Sequence, residues 1–361
     1  MKAKVYEDML HVMIKRGGPY AGADIPEFYQ LMEALFSPEE AEINNILSRN
    51  PIHAADVAKQ IGKRDEEVTG LLEGMVDRGL CACFTKDGKT YYQGVPFMPG
   101  IFEYQFIGGG AGEREKSVAR LIHAYKAAYN TAKGDARITF PVTRVIPVDR
   151  KIPVKNAVHT YDQVASYIEK YDPICVGSCY CRHAARLRGE DVHDLPVEVC
   201  MWFGKFGEFA ADRLGGRRVS KQEAMGILAA AEEAGLVHMS RNTTDEIEFM
   251  CNCDRWHCDV VKGVLKQPKP GLVFNSGFQP HFDPEKCIAC ETCIGRCPSG
   301  ALTLGPDQVP AVNLDRCFGC AVCATGCEQD AIAMEAKPGF PEPPKSVKDL
   351  ITALKASSAA R

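Results

Sequence analysis

The sequence has no run of eighteen apolar residues, which excludes an ordinary membrane-spanning helix. Residues 1–18 carry charges where a secretory signal peptide has an apolar centre. The net charge is only -4, so the chain also lacks the strongly basic balance of many nucleic-acid-binding proteins. We therefore expect a cytoplasmic protein that has no specific nucleic-acid target.

Motifs for nucleotide binding, flavin binding and nucleophilic catalysis are also missing. The glycines between Gly108 and Gly112 do not fit a dinucleotide-binding loop, and no lysine followed by serine or threonine completes a phosphate-binding loop. Segment 99–160 is rich in proline, glycine and basic residues, and it is predicted to be a basic connecting segment. Nothing indicates a substrate, so we do not expect an enzyme that acts alone.

Cysteine, by contrast, is abundant, with 17 residues. In a secreted protein this number would indicate disulfides, but short spacings in a large cytoplasmic chain indicate bound metal. So many thiolates also imply an anaerobic or reducing setting, because exposed clusters and thiolates oxidise readily. Cys81 and Cys83 lie on a predicted strand far from the other cysteines, and we expect them to be unligated thiols.

The strongest pattern is a C-x2-C-x2-C-x3-C motif that begins at Cys287 and again at Cys317. Three thiolates on one loop bind three irons of a cubane, while the fourth cysteine ligates the other cluster. The pattern predicts a bacterial-type ferredoxin domain over 282–336 with two [4Fe–4S] clusters. The predicted ligands are Cys287, Cys290, Cys293 and Cys327 for the first cluster, and Cys317, Cys320, Cys323 and Cys297 for the second. The second motif has Glu328 at the position where the first motif has Pro298.

A further group of cysteines lies in 161–268, a region that we predict to be mostly helical. Two C-x-C pairs could converge on one metal site, because residues two apart in a strand point the same way. Thiolates suit an iron–sulfur cluster or zinc, and buried free thiols are the alternative. We favour one or two more iron–sulfur clusters, with Cys179, Cys181, Cys200, Cys251, Cys253 and Cys258 as predicted ligands. Cys175, His193 and His257 are further candidates.

Residues 1–98 are predicted to form helices followed by a hairpin, the order of a winged helix. Ser37 and Glu40 make a capping box at one helix start. A later helix spans 65–78, and a hairpin with an Asp-Gly turn covers 80–93. Acidic residues dominate the 65–78 helix, which argues against DNA binding because phosphate contacts need lysine and arginine.

These features resemble the poorly characterised 4Fe–4S ferredoxin-domain proteins of anaerobic bacteria and archaea. The resemblance rests on Cys179-Tyr180-Cys181-Arg182, on Cys251-Asn252-Cys253 and on the motifs from Cys287 to Cys327, and it covers most of the chain. It implies electron transfer in anaerobic metabolism, with other redox proteins as partners. That group tends to carry a cysteine where this chain has His193 and a denser cysteine run at 254–258, which implies fewer or differently ligated middle clusters here.

The sequence thus predicts an α+β multidomain protein. Its predicted parts are a helical and winged-helix-like domain (1–98), the basic connecting segment (99–160), a Cys-rich helical domain (161–268), the ferredoxin domain (282–336) and a proline-rich spacer with a terminal helix (337–361). The predicted function is a multi-cluster iron–sulfur electron-transfer protein or subunit. The alternatives are a redox-sensing transcription regulator and a reductase subunit with its substrate at the middle site.

Overall fold

A computed structural model describes residues 4–134, 138, 140–148 and 164–359. The chain has a mixed α/β structure and divides into two compact units. The first unit consists of Met1–Gly134, Gly177–Val192 and Phe209–Arg217, and the second of Asp135–Val176, His193–Glu208 and Arg218–Arg361. Among the described residues, no helix combines the length and apolar content that a membrane crossing requires.

Helices predominate before residue 134. They are α1 (Lys4–Arg16), α2 (Pro26–Leu35), α3 (Pro38–Ile46), α4 (Ala54–Ile61), α5 (Asp65–Asp77), α6 (Phe102–Tyr104) and α7 (Glu113–Lys133). Three short strands form an antiparallel sheet in the order β1-β3-β2, namely β1 (Ile52–His53), β2 (Cys81–Lys86) and β3 (Lys89–Gly94). Buried Arg16 donates hydrogen bonds to the carbonyl oxygens of Asn44 and Leu47, which fastens α1 to the end of α3.

Local sequence signals decide several of these elements. Ser37 accepts a hydrogen bond from the Glu40 backbone, and the Glu40 carboxylate accepts one from the Ser37 backbone, so the predicted capping box is present. The predicted helix at 65–78 is α5, with Val68 and Leu72 among its buried residues. The predicted hairpin is the pair β2 and β3. The helices and hairpin predicted for this region are thus present.

The predicted connecting segment is different from expectation. A 21-residue helix, α7, occupies Glu113–Lys133, and it buries Val118, Ala119, Ile122 and Tyr125. These residues recur three or four positions apart, which gives the helix a face that packs. A short strand, β4 (Thr143–Val145), follows. Most of the described part of this segment is therefore regular structure, and its residues 135–137, 139 and 149–160 lie outside the described ranges.

The region after residue 164 alternates helices and strands. Its helices are α8 (Val164–Lys170), α9 (Tyr180–Leu187), α10 (Gly204–Arg213), α11 (Lys221–Glu233), α12 (Asp259–Leu265), α13 (Pro270–Val273), α14 (Thr292–Arg296), α15 (Val322–Thr325) and α16 (Val347–Ala359). Its strands are β5 (Ile174–Ser178), β6 (Glu198–Phe203), β7 (Arg217–Val219), β8 (Val237–Arg241), β9 (Phe249–Cys253), β10 (Phe278–Phe282), β11 (Leu302–Leu304), β12 (Pro310–Val312) and β13 (Ile332–Ala336).

A six-stranded sheet contradicts the prediction that 161–268 is mostly helical. The strand order is β4-β8-β9-β6-β5-β7, and β9 pairs antiparallel with both β8 and β6. Strand β6 is almost entirely buried, as expected of a central strand covered on both faces. The predicted helix at Ser220–Leu236 is nevertheless found as α11, with Ser220 capping it through the Glu223 backbone.

Two small antiparallel ladders frame the cysteine motifs near the C-terminus. One pairs β10 with β13, and the other pairs β11 with β12. Pairing β10 with β13 joins the start of the first repeat to the end of the second, so neither repeat is complete alone. This arrangement places the two cysteine loops side by side within the second unit.

Candidate metal centres

The two repeated motifs form two loops of similar backbone shape. Each loop places two residues at positive φ, Ala289 (54°) and Glu291 (59°) in the first and Gly319 (66°) and Ala321 (65°) in the second. Successive N–H groups in such turns make concave sites that favour negative charge. A β-carbon at Gly319 would overlap the carbonyl oxygen of Phe278, so this position needs glycine.

The second loop encloses four thiols in a buried cavity. Cys297, Cys317, Cys320 and Cys323 line one small cavity together. Burial raises the pKa of the Cys323 thiol well above its usual range, and the neighbouring thiols of Cys320, Cys317 and Cys297 raise it further. Cys297 therefore lies with the cysteines of the second motif, although it belongs to the first motif in sequence.

The remaining motif cysteines gather at the first loop. Burial raises the pKa of the Cys293 thiol, and the nearby thiols of Cys290 and Cys327 raise it as well. Cys287 is partly buried at the start of the same loop. Cys327, which ends the second motif, thus lies with cysteines of the first motif, and the exchange between repeats is reciprocal.

Backbone amides point at several of these sulfur atoms. Ala301 donates to Cys297 Sγ at 3.3 Å, Gly319 to Cys317 Sγ at 3.4 Å and Ala331 to Cys327 Sγ at 3.4 Å. Such donors stabilise the negative charge of a thiolate that ligates iron. All 17 cysteines lie in the part of the chain that the structure describes, and none of them is in a disulfide. Eight free thiols in two sets, with amide donors aimed at sulfur, fit two [4Fe–4S] clusters.

The structure also brings together three of the predicted middle ligands. Cys251 and Cys253 lie on β9, and Cys258 precedes α12. Hydrogen bonding of the protonated Cys253 thiol with Cys251 and Cys258, together with burial, raises the pKa of Cys253 well above its usual range. Cys200 is buried on β6. The next residue, Met201, pairs with Met250 on β9, and Cys251 follows Met250. These four cysteines belong to the second unit.

The other middle candidates are placed differently. Cys175 is buried on β5. Cys179 and Cys181 lie at the start of α9, in the first unit. His193 lies in the second unit, with its ring 4.6 Å from that of Trp256 and 5.8 Å from that of His257. The His257 Nδ1 atom is 3.1 Å from an Asp254 carboxylate oxygen, which orients that imidazole.

Within the described ranges, no three histidine, cysteine, aspartate or glutamate side chains are placed to hold a single metal ion. A zinc site needs such convergence on one ion, usually by four donors at 2.0–2.3 Å. In a [4Fe–4S] cluster each cysteine binds a different iron, so its ligands are further apart.

Two arginines near these loops were not anticipated from the sequence. Arg296 donates to the carbonyl oxygens of Glu232, Glu233 and Val322, and Arg255 donates to the carbonyl oxygen of Cys297. The second repeat has Gly326 at the position that corresponds to Arg296. This break in the repeat is a signal in the sequence that could have singled out Arg296. Both arginines connect the cysteine loops to the sheet region of the second unit.

Cys81 and Cys83 lie apart from these sites, on β2. Cys81 is fully buried, and burial raises its pKa. The Cys83 sulfur is 3.6 Å from a guanidinium nitrogen of Arg213, which also pairs with Glu73 and Asp77. That they are unligated stays a prediction.

Comparison with known proteins identifies one domain. A 4Fe–4S binding domain matches residues 280–303, which include the whole first motif. This match indicates an iron–sulfur electron-transfer protein with a 4Fe–4S binding domain near the C-terminus. No curated protein is significantly similar to the chain.

Proposed function

We propose that this protein is a multi-cluster iron–sulfur electron-transfer protein, or a subunit of an anaerobic redox complex. The observation that carries the proposal is the exchange of Cys297 and Cys327 between the two loops, which gives each loop four thiols. A bound cluster would accept and release one electron at a time. The protein's own residues hold the thiolates, donate amide hydrogen bonds to sulfur and exclude water from the second site.

We assign the first cluster to Cys287, Cys290, Cys293 and Cys327, and the second cluster to Cys317, Cys320, Cys323 and Cys297. A third cluster is proposed on Cys200, Cys251, Cys253 and Cys258, because these cysteines lie on or beside two paired strands. Cys175 and His193 stay candidate ligands for it, and Cys179 and Cys181, which belong to the first unit, stay candidates for a further cluster.

The cysteines assigned to the second cluster and those assigned to the proposed third cluster pack near each other within the second unit. Cys253 and Cys258 share one hydrophobic cluster with Phe318 and Cys320. Electron tunnelling weakens steeply with distance, so such packing favours transfer between the two sites. We therefore propose that electrons pass between the ferredoxin domain and the middle cysteines through this contact.

Metal content of protein purified without oxygen tests the proposal. We expect about twelve irons per chain and no stoichiometric zinc, since each cubane holds four irons. The variant C251A/C253A should retain about eight irons and the electron paramagnetic resonance (EPR) signals of both ferredoxin clusters. Its matched control, C81A/C83A, removes another C-x-C pair from a strand and should keep all twelve.

The possible outcomes separate the parts of the proposal. About eight irons in the unaltered chain would contradict the third cluster and leave the ferredoxin domain intact. Stoichiometric zinc that disappears in C251A/C253A would make the middle site a zinc site. A chain that holds no iron would contradict the function as a whole.

A further inference from the structure

The internal repeat allows each residue near one cluster to be compared with its counterpart near the other. Ile288 in the first loop is 63% exposed, whereas its counterpart Phe318 is 1% exposed. Glu291 is exposed, whereas its counterpart Ala321 is buried. Cys290 is exposed, as is Thr292, while their counterparts Cys320 and Val322 are buried. The first loop thus faces solvent and the second faces the protein interior.

The same contrast in exposure holds for the residues that follow the fourth cysteine of each motif. Here the residues of the first motif are buried and those of the second are exposed, because each fourth cysteine is assigned to the other motif's cluster. Pro298 and Ser299, which follow the second cluster's Cys297, are buried. Glu328 and Gln329, which follow the first cluster's Cys327, are exposed. The exposed polar residues therefore lie around the first cluster, whichever motif they come from.

Glu328 lies close to the exposed thiol of the first loop. Hydrogen bonding with Thr292 lowers the pKa of Cys290, and the charge of Glu328 opposes this by raising it. Lys286, a basic residue beside the first loop, pairs with Asp283 at 3.4 Å, so its charge is partly balanced. The surface around Cys290 is left with an apolar residue, Ile288, bordered by carboxylates.

The second loop has no comparable surface. Phe318 and Val322 pack with Val237, Met239 and Phe274 in a buried cluster of the second unit. A partner protein could not come as close to the second cluster as to the first without displacing this core. Because electron tunnelling weakens steeply with distance, the first cluster is the better placed for exchange with another protein.

We propose that the surface formed by Ile288, Cys290, Glu291 and Glu328 is the docking site of an external redox protein that carries lysine and arginine around an apolar contact. Charge complementarity selects this partner, because carboxylates that border a contact speed the approach of a basic protein. The inference rests on the proposed electron-transfer function. One electron leaves a reduced first cluster and reduces a one-electron acceptor in the partner, and no proton is transferred.

Stopped-flow oxidation of the reduced full-length protein by a basic c-type cytochrome tests this docking site. Each reduced cluster loses one electron while the ferric haem iron becomes ferrous. In E291Q/E328Q we expect the second-order rate constant at low ionic strength to fall about tenfold, at the lower end of electrostatic steering effects. The dependence of that rate on salt should become weaker.

The variant D307N/E342Q is the matched control, because it removes two exposed carboxylates elsewhere and gives the same net charge. Compared at about 0.1 M ionic strength, where the Debye length is about 10 Å, its rate should stay within about twofold of that of the unaltered protein. Iron content and EPR spectra are measured for every variant, so a lost cluster cannot be mistaken for lost docking.

Equal rates for the two double variants would overturn the docking site while leaving the electron-transfer function standing. A protein that carries clusters but reduces neither the cytochrome nor the small acceptor ferricyanide would instead contradict the proposed function. A slower reaction of E291Q/E328Q with the cytochrome, at an unchanged rate with ferricyanide, fits only the loss of an attractive protein-docking surface.

Discussion

Individual cysteines in this protein are grouped by the fold rather than by their order in the chain. Cys297 is only four residues from Cys293, yet its thiol adjoins Cys317, Cys320 and Cys323. The Pro298 turn and short helix α14 direct the chain away from the first loop before the next strand begins. This arrangement makes a direct test of ligation possible with pairs of substitutions.

We expect C297A/C320A to disturb one cluster and C290A/C297A to disturb both. In the first variant the two lost thiolates serve the same cubane, whereas in the second they serve different cubanes. Iron content and EPR spectra of the reduced protein measure the result, and each disturbed cubane accounts for up to about four irons. If each motif ligated its own cluster, the two variants would exchange their phenotypes.

The assignment of the cluster ligands itself stays a prediction. The sequence allows such ligand sets to be predicted because cysteine spacing is a local property with one chemical reason. The same holds for the start of α3, where Ser37 and Glu40 are three residues apart and bond to each other. In contrast, β9 depends on pairing with β6, nearly fifty residues earlier. A short apolar run such as that of β6 does not reveal by itself whether it is a strand or a buried helix.

At the scale of elements, Arg296 is the link between a cysteine loop and a helix that is distant in sequence. Its guanidinium caps the C-terminal end of α11 through Glu232 and Glu233, at 3.0 and 3.1 Å. A helix ends with carbonyl groups that lack partners, and a cation there also opposes the helix dipole. A β-carbon at Gly326 would overlap the Arg296 side chain, so that glycine leaves room for it.

We therefore expect R296M to loosen the end of α11 while both ferredoxin clusters remain. Loss of these hydrogen bonds should cost about 1–3 kcal/mol locally. Hydrogen exchange measures this as faster exchange of the amides in 228–236, with unchanged iron content. K286M, which removes a cation from a more exposed side chain, is the control and should leave α11 unchanged. Faster exchange in both variants would show that charge alone, and not the capping contacts, matters.

At the scale of the whole molecule, the described residues show cores that depend on cysteine to different extents. Four of the twelve buried residues in the ferredoxin core are the cysteines Cys293, Cys297, Cys317 and Cys323. The core that joins the ferredoxin domain to the sheet includes Cys253, Cys258 and Cys320. The core beneath β5 and β6 includes no cysteine and relies on residues such as Ile174, Met201 and Met250.

Removal of iron should therefore unfold the second unit in a graded order rather than all at once. Cluster binding supplies folding free energy to a module whose core is built around thiolates. After iron chelation we expect amides in 278–336 to lose protection from hydrogen exchange first. Amides in β8, β9 and α12 should lose protection next, because these elements share a core with the ferredoxin domain. The core of Ile174 and Met201 should keep its protection, as should helices α1–α5 in the first unit. Uniform loss across both units would mean that the clusters stabilise the entire chain, which the division of cores does not predict.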